Sequence, residues 1–420
     1  MHIKSIWGKT QFQSSICACL AKAITAFLML SAISLSASAQ VMDRSIDEIK
    51  QESIDRVKRG AYPLGGLDQG DVEEAFTKIT TREPDDWANG FGVVADKYMK
   101  MAANAKTKQE AGAAYKRAWR LYYFGQFPVP NSPGKKASYD KAIDAYIKYL
   151  QTQDIPTEVV KIPFEGKFIT GYLRFPPNAK GPVPMILAIN GLDSRKETVA
   201  ESYAQILNQG VGFLAIDGPG TGQAPIKVDN KADRMFSTAL DYLYQHPKVD
   251  NQRIIAFGVS FGAHWSTKLA IKEKARLLGA VAQSPAVDVT FSEAVITSKV
   301  KGNKEYLFDY IPATLYVYEG ANSVDDLYRL VPEMSLKKQG LLGKPTTQML
   351  VVAGAKDTQT PIEDAELLLR SGDVPKDAWI NPRGGHLGRE STGWIDPVIF
   401  SKVIIPWELR LIEQSRNPQK

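Results

Sequence analysis

The stretch Ile254-Ile255-Ala256-Phe257-Gly258-Val259-Ser260-Phe261-Gly262-Ala263-His264-Trp265 constrains this chain more than any other. A short apolar run, read as a buried strand, meets Gly-x-Ser-x-Gly and then a segment with helical spacing. Strand, sharp turn and helix in that order make a nucleophile elbow. To lift its hydroxyl clear of a sheet, Ser260 has to sit on a tight turn with a strained backbone. Side chains at 258 or 262 would strike the neighbouring strand or helix, which accounts for both glycines. The N–H of Phe261, at the helix N-terminus, then faces the place where an oxyanion would form. Gly-x-Ser-x-Gly by itself arises by chance in ordinary turns, so the flanking strand and helix carry the reading. Such a serine requires a base, an acid and a second oxyanion donor from elsewhere in the chain.

The chain has 420 residues, enough for two or so domains and a large core. Its N-terminus reads as a secretory signal peptide over residues 1–39. Lys4, Lys9 and Lys22 precede the apolar run Ala23 to Leu35, and Ala37-Ser38-Ala39 offers a small-residue cleavage site before Gln40. A retained anchor is the alternative, but the run is short for a bilayer span. Export, to the periplasm or beyond, is therefore expected. Cys17 and Cys19, the two cysteines, both precede the apolar run, which argues against a lipoprotein. The mature chain would carry no disulfide and no cysteine-based metal site. Removing the three lysines lowers the formal net charge from +6 to +3, and the remaining Lys and Arg are scattered among acids. Nothing calls for nucleic acid.

Residues 40–154 read as a helical domain of about four helices. Trp87, Phe91, Val94, Ala95, Tyr98 and Met99 recur at three and four, as do Ala111, Ala114, Tyr115, Ala118, Trp119, Tyr122 and Tyr123 within Lys108 to Phe124. The Pro-rich break from Phe127 ends that helix, and a last one covers Ala137 to Leu150. Tyr122, Tyr123 and Phe127 are candidates to line a substrate pocket; simple core is the alternative. From Ile155 the period becomes two. A hairpin over 157–175 is followed by strand–helix units with strands at 184–190, 211–216, 278–283, 348–353 and 378–381, besides the elbow strand. This predicts an α/β domain over 155–420, a mostly parallel sheet flanked by helices. Residues 288–345 read as a helical lid insertion rich in aromatics, including Tyr306, Phe308, Tyr310, Tyr316 and Tyr318.

Four histidines decide the base. His2 lies in the signal, His246 at the wrong end of the sheet, and His264 within the elbow helix, packed near the site short of the serine. That leaves His386, in the glycine loop after the last strand. Asp357, just past the carboxyl end of a strand, is the acid that holds the imidazole; Asp288 is the alternative. The order Ser260, Asp357, His386 is that of α/β-hydrolases. The second oxyanion donor belongs to the loop after strand 184–190. There Gly191 lets the backbone approach a substrate, and the N–H of Leu192, in preference to that of Gly191, points inward. Asp217-Gly-Pro-Gly-Thr-Gly lacks the ending of a phosphate loop and reads as a structural turn. No His/Asp/Glu cluster has metal-ligand spacing and no dinucleotide fingerprint is present, so no cofactor and no metal are expected.

The chain resembles the α/β-hydrolase fold over 155–415, through Gly258 to Gly262, Asp357, His386 and the Asp217 turn. More narrowly it resembles the FrsA-like esterase group, which includes 2,6-dihydroxypseudooxynicotine hydrolase. That resemblance rests on the helical domain with Trp87 and Ala118-Trp-Arg-Leu-Tyr-Tyr-Phe-Gly-Gln-Phe-Pro, on Asn190-Gly-Leu-Asp-Ser-Arg-Lys-Glu, and on Asp217-Gly-Pro-Gly-Thr-Gly. It implies an α/β-hydrolase fold with an N-terminal helical domain and a helical lid. Export departs from the mostly cytoplasmic group, and Phe261 stands where a relative has a smaller residue. The group also implies an additional acid after the elbow helix, for which Asp288 and Glu293 are candidates. The expected activity is hydrolysis of a carboxylic ester with an aromatic or bulky acyl group. Carbon–carbon hydrolysis of an aryl ketone or β-diketone comes second, then a peptidase, then a non-catalytic binding protein. The expected partner is a small-molecule substrate, with no nucleic acid and no stable membrane insertion after signal cleavage. A homodimer is compatible with the sequence, which does not set the oligomeric state.

Overall fold

Short continuous apolar runs, buried on both faces, build the centre of the molecule. A computed structural model describes residues 44–302 and 310–416; the segment read as a signal, with Tyr306 and Phe308, lies outside them. Eight strands form one sheet: β1 (Glu158–Phe164), β2 (Lys167–Arg174), β3 (Val183–Ile189), β4 (Gly212–Ile216), β5 (Val249–Val259), β6 (Gly279–Gln283), β7 (Gln348–Gly354) and β8 (Asp377–Asn381). Their spatial order is β1-β2-β4-β3-β5-β6-β7-β8. The β1–β2 and β2–β4 pairs are antiparallel and all others parallel. Alternation then sorts the side chains onto two faces. Ile186, Ala188, Phe213, Ile255, Phe257, Val281 and Val352 enter one core, whereas Met185, Leu187, Leu214, Ile254, Ala256, Ala280 and Val351 enter the other. Both faces are covered, which is why the central strands read as continuous apolar runs.

The first core is shared with the N-terminal helices. These are α1 (Ile46–Lys58), α2 (Gln69–Phe76), α3 (Pro84–Ala103), α4 (Lys108–Gly125) and α5 (Pro133–Gln151), five rather than about four. The difference is α1, whose only buried residues are Ile49 and Ser53, so its apolar stripe is too thin to announce itself. A capping box starts it, Ser45 accepting from Glu48 N while the Glu48 side chain accepts from Ser45 N. The last of the five begins earlier than its apolar stripe: Ser132 caps it and Pro133 takes its first position, where a missing N–H costs nothing. Trp87 and Phe91 on α3 meet Phe124 on α4, with ring centres 5.4 and 4.9 Å away. Trp87 Nε1 donates to Phe124 O at 3.0 Å. Aromatics from α4 and α5 continue this core to the sheet, Tyr146 meeting Tyr172 of β2 at 5.2 Å.

The second core holds α7 (Arg234–Gln245), α8 (Phe261–Lys272) and the insertion, whose described helices are α9 (Glu293–Val300), α10 (Tyr310–Val317) and α11 (Val324–Leu330). The insertion is fastened at its root. Buried Asp364, on α12 (Ile362–Leu369), accepts from the N–H groups of Asp288, Val289 and Thr290 at 2.7–2.9 Å. A bridge between Val228 and Tyr318 fastens it again, next to the Asp217 turn. The remaining helices are α6 (Lys196–Tyr203), after β3, and the C-terminal α13 (Asp396–Ile399) and α14 (Ile405–Arg416), joined by a π turn. No helix of the described residues is long and apolar enough to cross a membrane.

Candidate active site

Ser260 sits between β5 and α8 with φ 54° and ψ −120°, a backbone that side-chain-bearing residues rarely adopt. The turn closes only because its flanks are bare. A Cβ at Gly258 would lie 2.0 Å from Gly262 O, and one at Gly262 would lie 2.5 Å from Asn190 O at the end of β3. Strand order does the rest. Because β6 and β7 follow β5 in the sheet, the residues after their carboxyl ends come together around the serine.

His386 is buried and stands between the other two groups. Its Nε2 is 2.8 Å from Ser260 Oγ and its Nδ1 is 2.8 Å from Asp357 Oδ2. The carboxylate is saturated: Oδ1 accepts from Gln359 N and Thr360 N, and Oδ2 also accepts from Thr360 Oγ1 at 2.7 Å and Ser284 Oγ at 2.9 Å. Burial pulls the Asp357 carboxyl upward, but His386 and Thr360 outweigh it and hold it well below the usual carboxylate range. An imidazole held this way can take the Ser260 proton and be stabilised as the imidazolium. Asp288 does not reach it; its Oδ1 accepts from Ser335 Oγ at 2.5 Å, and Glu293 is exposed at the start of α9. Of the other histidines, His246 stacks on Phe175, and His264 is fully buried with Nδ1 3.0 Å from Ala286 O. Burial lowers the His264 pKa to about 3, which keeps the ring neutral.

Phe261 and Leu192, expected to supply the oxyanion donors, both line the cavity that holds Ser260. Phe261 N is the first of α8, an orphan donor of a helix start. Gly191 N is already committed to Ser194 Oγ at 2.8 Å, which leaves Leu192 N without a partner among the described residues. A Cβ at Gly191 would come within 3.2 Å of Ser260 Cβ, so the loop runs directly against the serine. Asn190 locks this loop, its Nδ2 donating to Gly191 O, Ser194 O and Thr221 Oγ1 while its Oδ1 accepts from Gly218 N. The Asp217 turn thus serves as the loop's buttress. Lys196, buried, donates Nζ to Asp217 at 2.9 Å and to Glu197 at 2.8 Å. Burial opposes its charge, but the two carboxylates raise its pKa nonetheless.

Ser260, Leu192, Gly191, Tyr123 and Phe127 all line one cavity of about 960 Å³. Tyr122 does not. On a helix, consecutive residues point about 100° apart. Tyr123 therefore turns to the cavity, its hydroxyl donating to Asp193 O at 3.1 Å, while Tyr122 turns away and donates to Asp96 of α3. Three residues that the sequence did not single out complete the site. Ser284, at φ 57°, donates to Asp357 and accepts from Leu387 N at 2.8 Å, and Gln283 Nε2 donates to Leu387 O at 3.1 Å. Together they clamp the residue after His386. The third is Arg195, fully buried, whose Nη2 donates to Gln126 Oε1 and Pro128 O. It ties the oxyanion loop to the helical domain. The signal for Gln283 and Ser284 was their place at the carboxyl end of a strand; for Arg195 there was none beyond its motif. Among the described residues no group of three or more His, Cys, Asp and Glu is placed to hold a metal ion.

The family model described as Esterase FrsA-like matches residues 67–381. Esterase FrsA of Escherichia coli is 28% identical over 322 residues, covering 74% of this chain and 76% of that one. Esterase FrsA of an Enterobacter species is 25% identical over 328 residues, covering 73% and 78%. Among solved structures, 2,6-dihydroxy-pseudo-oxynicotine hydrolase superposes with a TM-score of 0.67 at 16% identity, over 86% of this chain and 96% of that one. AbyA5 superposes with a TM-score of 0.65 at 17% identity, over 90% and 96%. At these identities the structural likeness speaks for the fold.

Proposed function

The chain belongs to the FrsA-like esterase family, and from that premise we propose that it is an exported serine esterase working through Ser260, His386 and Asp357. His386 takes the proton of Ser260 as Oγ attacks the ester carbonyl. The N–H groups of Phe261 and Leu192 hold the oxyanion, the alcohol leaves with the proton from His386, and water releases the acyl group. The observation that carries this reading is the unbroken hydrogen-bonded line from Asp357 through His386 to Ser260, ending at an open cavity.

An aromatic or bulky acyl group is favoured by the walls that the insertion contributes. Phe291, Tyr310 and Tyr318 line the cavity beside Phe261, and aromatic faces pack against rings at low entropic cost. The reading is tested with 4-nitrophenyl acetate, butyrate and benzoate. All three should be hydrolysed, with the lowest KM for benzoate; absence of turnover on every ester would overturn it. Export is tested by N-terminal sequencing of the protein from cell fractions. A mature chain beginning at Gln40 outside the cytoplasm is expected, and a full-length chain confined to the cytoplasm would contradict it.

A further inference from the structure

The cavity over Ser260 has unlike walls. The insertion lines it with apolar groups such as Ile296, Ile311 and Val331 and with Lys299, which stands 5.4 Å from the Tyr310 ring centre. Arg389, after β8, also lines it and faces Asp396 at 3.2 Å. The helical domain lines it with four cations, Arg56, Arg59, Lys116 and Arg120. Three of these four cations face carboxylates. Arg56 lies 2.7 Å and Arg59 3.7 Å from Glu52, and Lys116 lies 2.9 Å from Glu201. Arg120 is different. Among the described residues no carboxylate comes within ion-pair range of it. Its Nη2 donates to Gly65 O, and its guanidinium stands 5.5 Å from the Trp119 ring centre. Glu201, the acid whose charge it feels, is taken up by Lys116, Tyr146 and Tyr149.

Arg120 is enclosed by the protein yet keeps part of its surface open, the state of a side chain turned into an internal cavity. Burial works against its charge, but a guanidinium does not give up its proton in a protein. Its planar fork holds five N–H donors, of which the described residues use one. A desolvated cation without a counter-ion is costly, and a planar anion arriving with the substrate would offset that cost.

We propose that Arg120 is a specificity-determining residue that receives a carboxylate carried by the ester substrate, on its acyl or its alcohol part, while the ester carbonyl lies at Ser260. This rests on the esterase reading above. The apolar wall then takes the uncharged end of the substrate, so the cavity selects an ester with one anionic and one apolar end.

The test compares matched esters. Mono-4-nitrophenyl adipate and 4-nitrophenyl hexanoate differ by a carboxylate on the acyl part; 4-acetoxybenzoate and 4-methylphenyl acetate differ by one on the alcohol part. In Arg120→Gln, kcat/KM for the anionic member of at least one pair should fall by about tenfold or more, mainly through KM, with its neutral partner within about twofold. Arg120→Lys should recover part of the loss, since it keeps the charge without the fork. A role confined to holding the Gly65 turn would lower both members of each pair together, and that result overturns the proposal. So does an unchanged ratio in both pairs. If no ester is turned over, the esterase reading fails separately, and calorimetric binding to Ser260→Ala decides this one. Tighter binding of the adipate monoester than of the hexanoate, abolished by Arg120→Gln, upholds it; equal binding overturns it.

Discussion

At the scale of residues, the site depends on a few groups whose substitution should separate chemistry from folding. Asp357→Asn keeps the shape but deprives His386 of its charge partner, so kcat should fall by about three to four orders of magnitude while Tm changes little. The Asp357 carboxyl also has a pH signature. A carboxyl held below its ordinary range contributes stability that is present above that range and is lost as pH falls through the folded value. Ser284→Ala removes both the donor to Asp357 and the acceptor for Leu387 N. The expected result is a kcat lowered by about tenfold with KM unchanged, read from steady-state rates on 4-nitrophenyl butyrate. Ser260 and its glycines were legible because the elbow is a local motif, and His386 because only four histidines exist. Ser284 was not legible: its partner Asp357 is distant in sequence, and only the β5-β6-β7 order makes them neighbours. Tyr122 misled for a related reason, since an aromatic stripe does not say which of two adjacent rings turns inward.

At the scale of elements, the loop that carries Gly191 and Leu192 is braced by Asn190, the Asp217 turn and Arg195. Arg195→Met leaves Gln126 Oε1 and Pro128 O without this buried donor and frees the loop. Both Tm and kcat should fall, the latter more than for a surface Arg→Met control measured alongside. The C-terminal helix offers a cleaner experiment. Glu408 on α14 is fully buried, with Tyr203 Oη donating to it at 2.7 Å and, among the described residues, no cation within ion-pair range. Burial raises its pKa to about 8. A carboxyl raised above its unfolded value favours the fold while protonated, so this contribution declines as pH rises from about 4.5 towards 8. Glu408→Gln should therefore raise Tm at pH 9 and have little effect at pH 5, in thermal melts at both values. Strands were easier to read than helices because the central ones are continuous apolar runs and the edge hairpin alternates, while α1, with two buried residues, leaves almost no pattern.

At the scale of the whole molecule, the described residues, 44–302 and 310–416, pack as one compact unit. The helical domain and the sheet share an apolar core through Tyr146, Tyr172 and their neighbours. A chain lacking residues 44–154 would expose that face of the sheet, so it is expected to be recovered as aggregate rather than as a folded monomer by size-exclusion chromatography. The order of strands and helices could be read from the sequence, because hairpin and strand–helix units have local signals. The shared core could not, since nothing local says which face of a buried strand meets which distant helix. The same holds for the cavity, which residues after 288, such as Ile296 and Ile311, and residues before 121, such as Arg56 and Arg120, line together.

The central claim is that Ser260 is a nucleophile activated by His386. The wild-type protein, Ser260→Ala and His386→Ala are incubated with a fluorophosphonate probe, and the modified residue is identified by mass spectrometry. The account predicts labelling at Ser260 that is absent in Ser260→Ala and sharply slowed in His386→Ala. A wild-type protein left unlabelled, or labelled at another residue, would contradict it.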